Sequence, residues 1–148
     1  MSRRKDIDPV EIISDLADYI DQYRIASANL EGPENLFVPR CQVRGQLVEL
    51  ALKYYLAACG TYEIGHDLNG LLGKAENSGL TVSDYDRVHV VEELHKDYCA
   101  HPELGWNYFS RYPMPNRPTK IWITPGHQDV DAFVMRVMNQ ASAKRQGA

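Results

Sequence analysis

The sequence predicts an all-α protein: an antiparallel four-helix bundle with an additional short helix and a long loop rich in aromatic residues and proline. Three observations carry this expectation. Apolar residues recur at helical three- and four-residue steps through most of the chain. Capping residues, prolines and a glycine punctuate those stretches. No set of strand-like runs is large enough to build a sheet.

The first helix is "DPVEIISDLADYIDQYRIASANL". Asp8 is placed to cap, Pro9 suits the first helical position, and Glu11 adds acid to the first turn. Ile13, Leu16, Ala17, Ile20 and Tyr23 make its apolar face, and "EGPEN" ends it. A second helix runs from about Pro39 to Cys59, with Gly60 as the stop. Leu47, Leu50, Ala51, Tyr54 and Ala58 form one stripe; Val48, Leu52, Tyr55 and Cys59 form another. Two stripes bury most of a helix's circumference, so this helix is central. Its remaining face carries Gln42, Gln46, Glu49 and Lys53, which are either solvated or line a cleft.

A short third helix spans about His66 to Asn77, with Leu68, Leu71, Leu72 and Ala75 inward. Gly70 and Gly73 weaken it by about 1 kcal/mol each, so packing must hold it. Ser83 is placed to cap a fourth helix whose stripe is Tyr85, Val88, Val91, Leu94 and Tyr98. The last helix starts with Thr124 as cap and Pro125 in the first position, and buries Val130, Phe133, Val134, Val137, Met138 and Ala141. Between these two lies an irregular segment, about Ala100 to Ile123, longer than an ordinary helix connection. Within it "KIWI" suits a brief extended piece.

The 148 residues suit a single domain, 1–148, with a core of its own. A net charge of −4 excludes a globally basic nucleic-acid binder and leaves a local basic surface open. Cys41, Cys59 and Cys99 are odd in number and form no CxxC, which fits reduced thiols and a cytoplasmic location. The start of the chain does not read as a signal peptide, and no apolar stretch reaches the roughly 20 residues a membrane helix needs.

Four groups of residues carry candidate chemistry. His66 and Asp67 head the short helix: one reading is a cap, the other a contact to a ligand phosphate at the helix N-terminus. Lys53 either pairs with Glu49 one turn earlier or contacts phosphate from a cleft. From Leu104 to Gln128 there is no acidic residue, while Arg111, Arg117 and Lys120 interleave with Trp106, Tyr108, Phe109, Tyr112 and Trp122. Cations beside rings suit single strands or nucleobases; the other reading is that the rings close the bundle. "EIGH" and "EELH" each give Glu-x-x-His, but the first falls at a loop-to-helix junction, so no metal site is expected. Cys99 and His101 have no placed third partner for nucleophilic catalysis. No cofactor is expected.

Three pieces, in order, resemble a HEPN domain, the all-helical family of higher eukaryotes and prokaryotes: "LVELALKYYLAACG", "GHDLNGLLGKAENSGL" and "SRYP" (Ser110 to Pro113). The resemblance spans about Arg44 to Ala141. It implies a helical bundle that dimerises and is associated with nucleotides or RNA. Members of the family serve as ribonucleases in toxin and defence systems, as partners of nucleotidyltransferases, and as noncatalytic nucleotide-binding modules. Its ribonucleases use an arginine and a histidine separated by about four to six residues. Here the nearest arrangement is Arg87 and His95, with seven residues between them, a departure from that pattern.

The expectation is therefore a noncatalytic nucleotide- or single-stranded-RNA-binding module, homodimeric, belonging to a toxin–antitoxin, nucleotidyltransferase-associated or defence system. Its binding residues are Lys53, His66, Arg111, Arg117 and Lys120. Two alternatives stand beside it: a metal-independent ribonuclease with a displaced site at Arg87 and His95 or near Arg111, and a ligand-free assembly protein.

Overall fold

A computed structural model describes residues 7–32, 36–99 and 124–147, and these are helical with no strand among them. In chain order they form α1 (Pro9–Asn29), α2 (Phe37–Ala58), α3 (Leu68–Asn77), α4 (Asp84–Asp86), a π-helical stretch (Arg87–Glu92), α5 (Glu93–Tyr98) and α6 (His127–Arg145). The three pieces from Asp84 to Tyr98 follow one another without a break. The aromatic loop with Arg111, Arg117 and Lys120, "SRYP" and "KIWI" lies outside the described residues.

The central position expected for α2 is observed. Fourteen of its residues are buried, from Cys41 to Ala57, and α1, α3, α5 and α6 all pack on it. Side-chain pairs give the directions. Ser27 meets Arg44, while Leu16 and Leu50 border one cavity, so α1 runs antiparallel to α2. Ser78 meets Tyr55 and Tyr98 meets Gln46, so the chain returns along α2 between them. Arg44 meets Pro125 and Arg145 meets Tyr54, which sets α6 parallel to α2. Directions thus alternate along the main helices in chain order.

The caps follow the local chemistry of the sequence. Asp8 Oδ1 accepts from the Val10 N–H at 2.9 Å with Pro9 first in α1, and Ser83 Oγ accepts from the Asp86 N–H at 3.1 Å. Gly60, at φ 94°, closes α2 in the left-handed conformation that glycine adopts without strain.

Two boundaries differ from the sequence expectation. α6 begins at His127 with Gly126 as cap, not at Thr124 and Pro125. The cause is a cap from a distant residue just past the end of α1: Glu31 Oε1 accepts the His127 N–H at 2.7 Å, and Arg44 takes the Pro125 carbonyl at 3.0 Å. In the helix after Ser83, Tyr85 and Val88 are exposed rather than inward. The π-helical turn is wider than an α turn and re-registers the face. Asp86 and Val90 turn inward ahead of Val91, Leu94 and Tyr98, and buried Asp86 is held by Arg136 at 2.9 and 2.7 Å.

α2 and α5 meet at closest range where Gly45 faces the Tyr98 ring. A Cβ on Gly45 would lie 2.3 Å from Tyr98 Cγ. Gly45→Ala must therefore displace Tyr98 or separate the helices, and it is expected to destabilise the protein by about 1–3 kcal/mol. Chemical denaturation checks this; an unchanged midpoint would show that the two helices have room for a methyl group at this position.

Candidate functional site

The polar face of α2 does line a cleft. A cavity of about 570 Å³ opens between α1, α2 and the loop ahead of α3, with Gln46, Glu49, Lys53 and His66 among its lining residues. Its apolar part comes from Ile12 and Leu16 of α1 and Ile64 of the loop; Tyr19 and Tyr62 bring rings, and Asp15 a carboxylate.

Glu49 organises the site. It is 1 % exposed, and a carboxylate so deeply buried needs charge or hydrogen bonds to hold it. It has both. Lys53 Nζ donates to Oε2 at 3.1 Å, His66 Nδ1 lies 3.1 and 3.2 Å from the two oxygens, and the Tyr98 hydroxyl lies 2.9 Å from Oε1. The same hydroxyl is 2.9 Å from Gln46 Oε1. With Nδ1 donating to Glu49, the Nε2 edge of His66 is its second hydrogen-bonding position. The backbone behind the ring is held as well, since Cys99 Sγ donates to the His66 carbonyl. The network ties α2, the loop before α3 and the end of α5 together.

Lys53 is itself only 6 % exposed. The pairing with Glu49 expected from sequence is observed, and Lys53 is also among the residues that line the cleft. Asp67 behaves as a cap, Oδ1 accepting from the Gly70 N–H at 3.2 Å, and α3 starts at Leu68 rather than His66. His66 does not cap; it turns back to α2. His95 assists at the same helix end, its Nδ1 accepting from the Asn69 N–H at 3.4 Å and lying 3.3 Å from Asp67 Oδ1. Burial lowers the His95 pKa, partly offset by the Asp67 charge.

Lys53 and His66 are thus brought together, through Glu49. Arg87 and His95 are anchored apart. Arg87 forms a two-pronged pair with Glu76 near the end of α3, whereas His95 sits at the start of α3. They stand eight positions apart along the helical stretch. Glu49 as an organising group, Tyr98, Tyr19 and Tyr62 were not singled out as site residues from the sequence. For Glu49 the signal was there: it shares the polar face of a helix buried on its other sides.

A second buried polar cluster lies toward the opposite end of α2. Arg44, 2 % exposed, donates to Ser27 Oγ, the Ser27 and Pro125 carbonyls and Glu31, and His127 Nδ1 lies 2.9 Å from the same Ser27 hydroxyl. Burial lowers the Arg44 pKa, with Glu31 opposing. Its polar groups are engaged in joining α1, α2 and α6. Asp97, also buried, has an Oδ1 without a hydrogen-bond partner among the described residues. Burial, reinforced by Glu93 and opposed by Lys96, pushes its pKa up to about 7.

Cys41, Cys59 and Cys99 form no disulfide with one another. Among the described residues no group of three or more His, Cys, Asp or Glu side chains is placed to hold a metal ion. No helix among them is long and apolar enough to cross a membrane. Comparison with protein-family models, curated proteins and solved structures finds no match.

Two stability predictions follow from these buried charges. Removing the shared acceptor by Glu49→Gln leaves Lys53 buried without its counter-charge and is expected to cost about 3–5 kcal/mol. The double variant Glu49→Gln with Lys53→Met is expected to recover part of that loss. Urea denaturation of the two single variants and the double variant checks the coupling, and simple additivity would refute it.

Asp97 gives a pH signature. Its folded pKa, about 7, lies above the 3.8 of an ordinary aspartate, so the folded state binds the extra proton between those values. Stability falls as pH rises through that window, and the penalty is complete above about pH 7. Asp97→Asn is accordingly expected to stabilise the protein at pH 8 by about 2–4 kcal/mol and far less at pH 4. Denaturation midpoints at both pH values test this; an equal effect at both would exclude it.

Proposed function

We propose that this chain is a HEPN-like, noncatalytic binding domain for a nucleotide or single-stranded RNA, working as a cytoplasmic homodimer. In this reading it belongs with a nucleotidyltransferase or another component of a toxin–antitoxin or defence system. The observation that carries it is the buried lysine of the central helix, Lys53, opening into a cleft bordered by tyrosine rings. A buried ammonium is costly unless it is paired, and here it is both paired and turned toward a cavity of ligand size. Aromatic faces and hydrogen-bond donors together suit a nucleotide better than a purely apolar ligand. The alternating helix directions and the "HDL" start of α3 are in keeping with a HEPN-like bundle. Arg111, Arg117 and Lys120 complete the reading from sequence as contacts to phosphates.

The noncatalytic part rests on Arg87 and His95. Each is committed to a different end of α3, which disfavours their acting as one ribonuclease site within a chain.

The test is thermal shift with a panel of ribonucleotides and short single-stranded RNAs, followed by titration. A ligand from the panel is expected to raise the melting temperature of the wild type. Lys53→Met is expected to lose about tenfold or more in affinity. No response to any member of the panel would turn the reading toward a ligand-free assembly protein.

A further inference from the structure

The electrostatics of the cleft indicate which part of a nucleotide it would receive. A phosphate drawn to Lys53 would meet Glu49, whose Oε2 is already 3.1 Å from Nζ. Asp15 adds a second carboxylate to the lining. Against these two acids the lining offers one lysine and a histidine, and the histidine nitrogen nearest Glu49 is occupied by it. The local balance is not that of a phosphate cradle, which brings several donors to an anion and keeps carboxylates away.

The same lining suits a heterocycle. Glu49 accepts one of the three ammonium donors of Lys53, so the ammonium can also donate to a ring nitrogen or an exocyclic carbonyl. Gln46 contributes an amide, which both donates and accepts. Above this polar floor stand Ile12, Leu16 and Ile64, with Tyr19 on α1 and Tyr62 on the loop. Tyr19 is 56 % exposed, a large ring left in water beside an open cavity.

We propose that this cleft is a nucleobase pocket: the base enters between the tyrosine-bearing walls with its polar edge toward Lys53 and Gln46, and sugar and phosphate stay at the mouth. This inference rests on the nucleotide-binding reading above and specifies its orientation. A free mononucleotide and an unpaired base of an RNA strand present the same chemistry, and the experiment separates them.

The test titrates the full chain with the four ribonucleosides, their mono- and triphosphates, inorganic triphosphate and single-stranded tetranucleotides, at about 50 and about 200 mM salt. For the preferred base, the nucleoside by itself is expected to bind, with little change in its affinity between the two salt concentrations. Inorganic triphosphate is expected not to compete. Tyr19→Ala, at an exposed position, is expected to weaken nucleoside binding about tenfold without moving the melting temperature. Equal binding of nucleoside and tetranucleotide would identify the pocket as one for a free nucleotide; a large preference for the tetranucleotide with retained nucleoside binding would identify it as a base subsite on an RNA. Binding of nucleotides and inorganic triphosphate with none of any nucleoside would overturn the base-inward orientation and leave nucleotide binding standing. Absence of binding by every nucleoside, nucleotide and tetranucleotide would overturn both.

Discussion

A carboxylate at the middle of a buried helix dictates much of what surrounds it. Glu49 cannot be stable there unless donors converge on it, and the three that do come from different parts of the chain. Lys53 comes from the next turn of α2, His66 from the loop ahead of α3, and Tyr98 from the end of α5. Satisfying one acid therefore fixes the loop against α2 and the register of α5 along it. The close approach of Gly45 to the Tyr98 ring belongs to the same constraint, because the ring must pass Gly45 for its hydroxyl to reach Glu49.

The cleft follows from this arrangement. α1 covers one side of α2 through Ile13, Leu16 and Ile20, but the Gln46–Glu49–Lys53 face remains open to the cavity. Apolar packing alone would close such a gap, and a polar network with its own geometry does not. Tyr19, Tyr62 and Ile64 then border a space whose floor is polar and whose sides are largely apolar. That mixture is characteristic of pockets that orient a ligand by a few polar contacts.

Much of the helical layout was legible because it rests on local rules. Asp8 with Pro9, Ser83, and Gly60 mark ends through backbone chemistry that needs no distant partner. The double stripe of α2 announced its central place. What could not be read was set by contacts between distant residues. The start of α6 moved two residues because Glu31 caps it from beyond the end of α1. The inward face before Val91 shifted because a π-helical turn brings Asp86 to Arg136, leaving Tyr85 and Val88 outside. At the site, Lys53 and His66 were visible as residue types, but their meeting at Glu49 depends on the path of a loop. Arg111, Arg117 and Lys120 lie outside the described residues.

The Arg44 cluster bears on the order in which the chain assembles. Ser27 and Glu31 lie 100 and 96 positions before the residue of α6 they engage. The α1–α2 hairpin is local, yet its Arg44 waits for the Pro125 carbonyl, 81 positions further along the chain. Until then the guanidinium has Ser27 and Glu31 as partners, which keeps it charged and bonded without completing its shell. The hairpin thus emerges as a half-finished socket, polar at its rim and apolar along its groove, and α6 is the plug. Closing so long a loop costs only slowly more entropy with length, so a socket of this kind can be filled by a segment far along the chain.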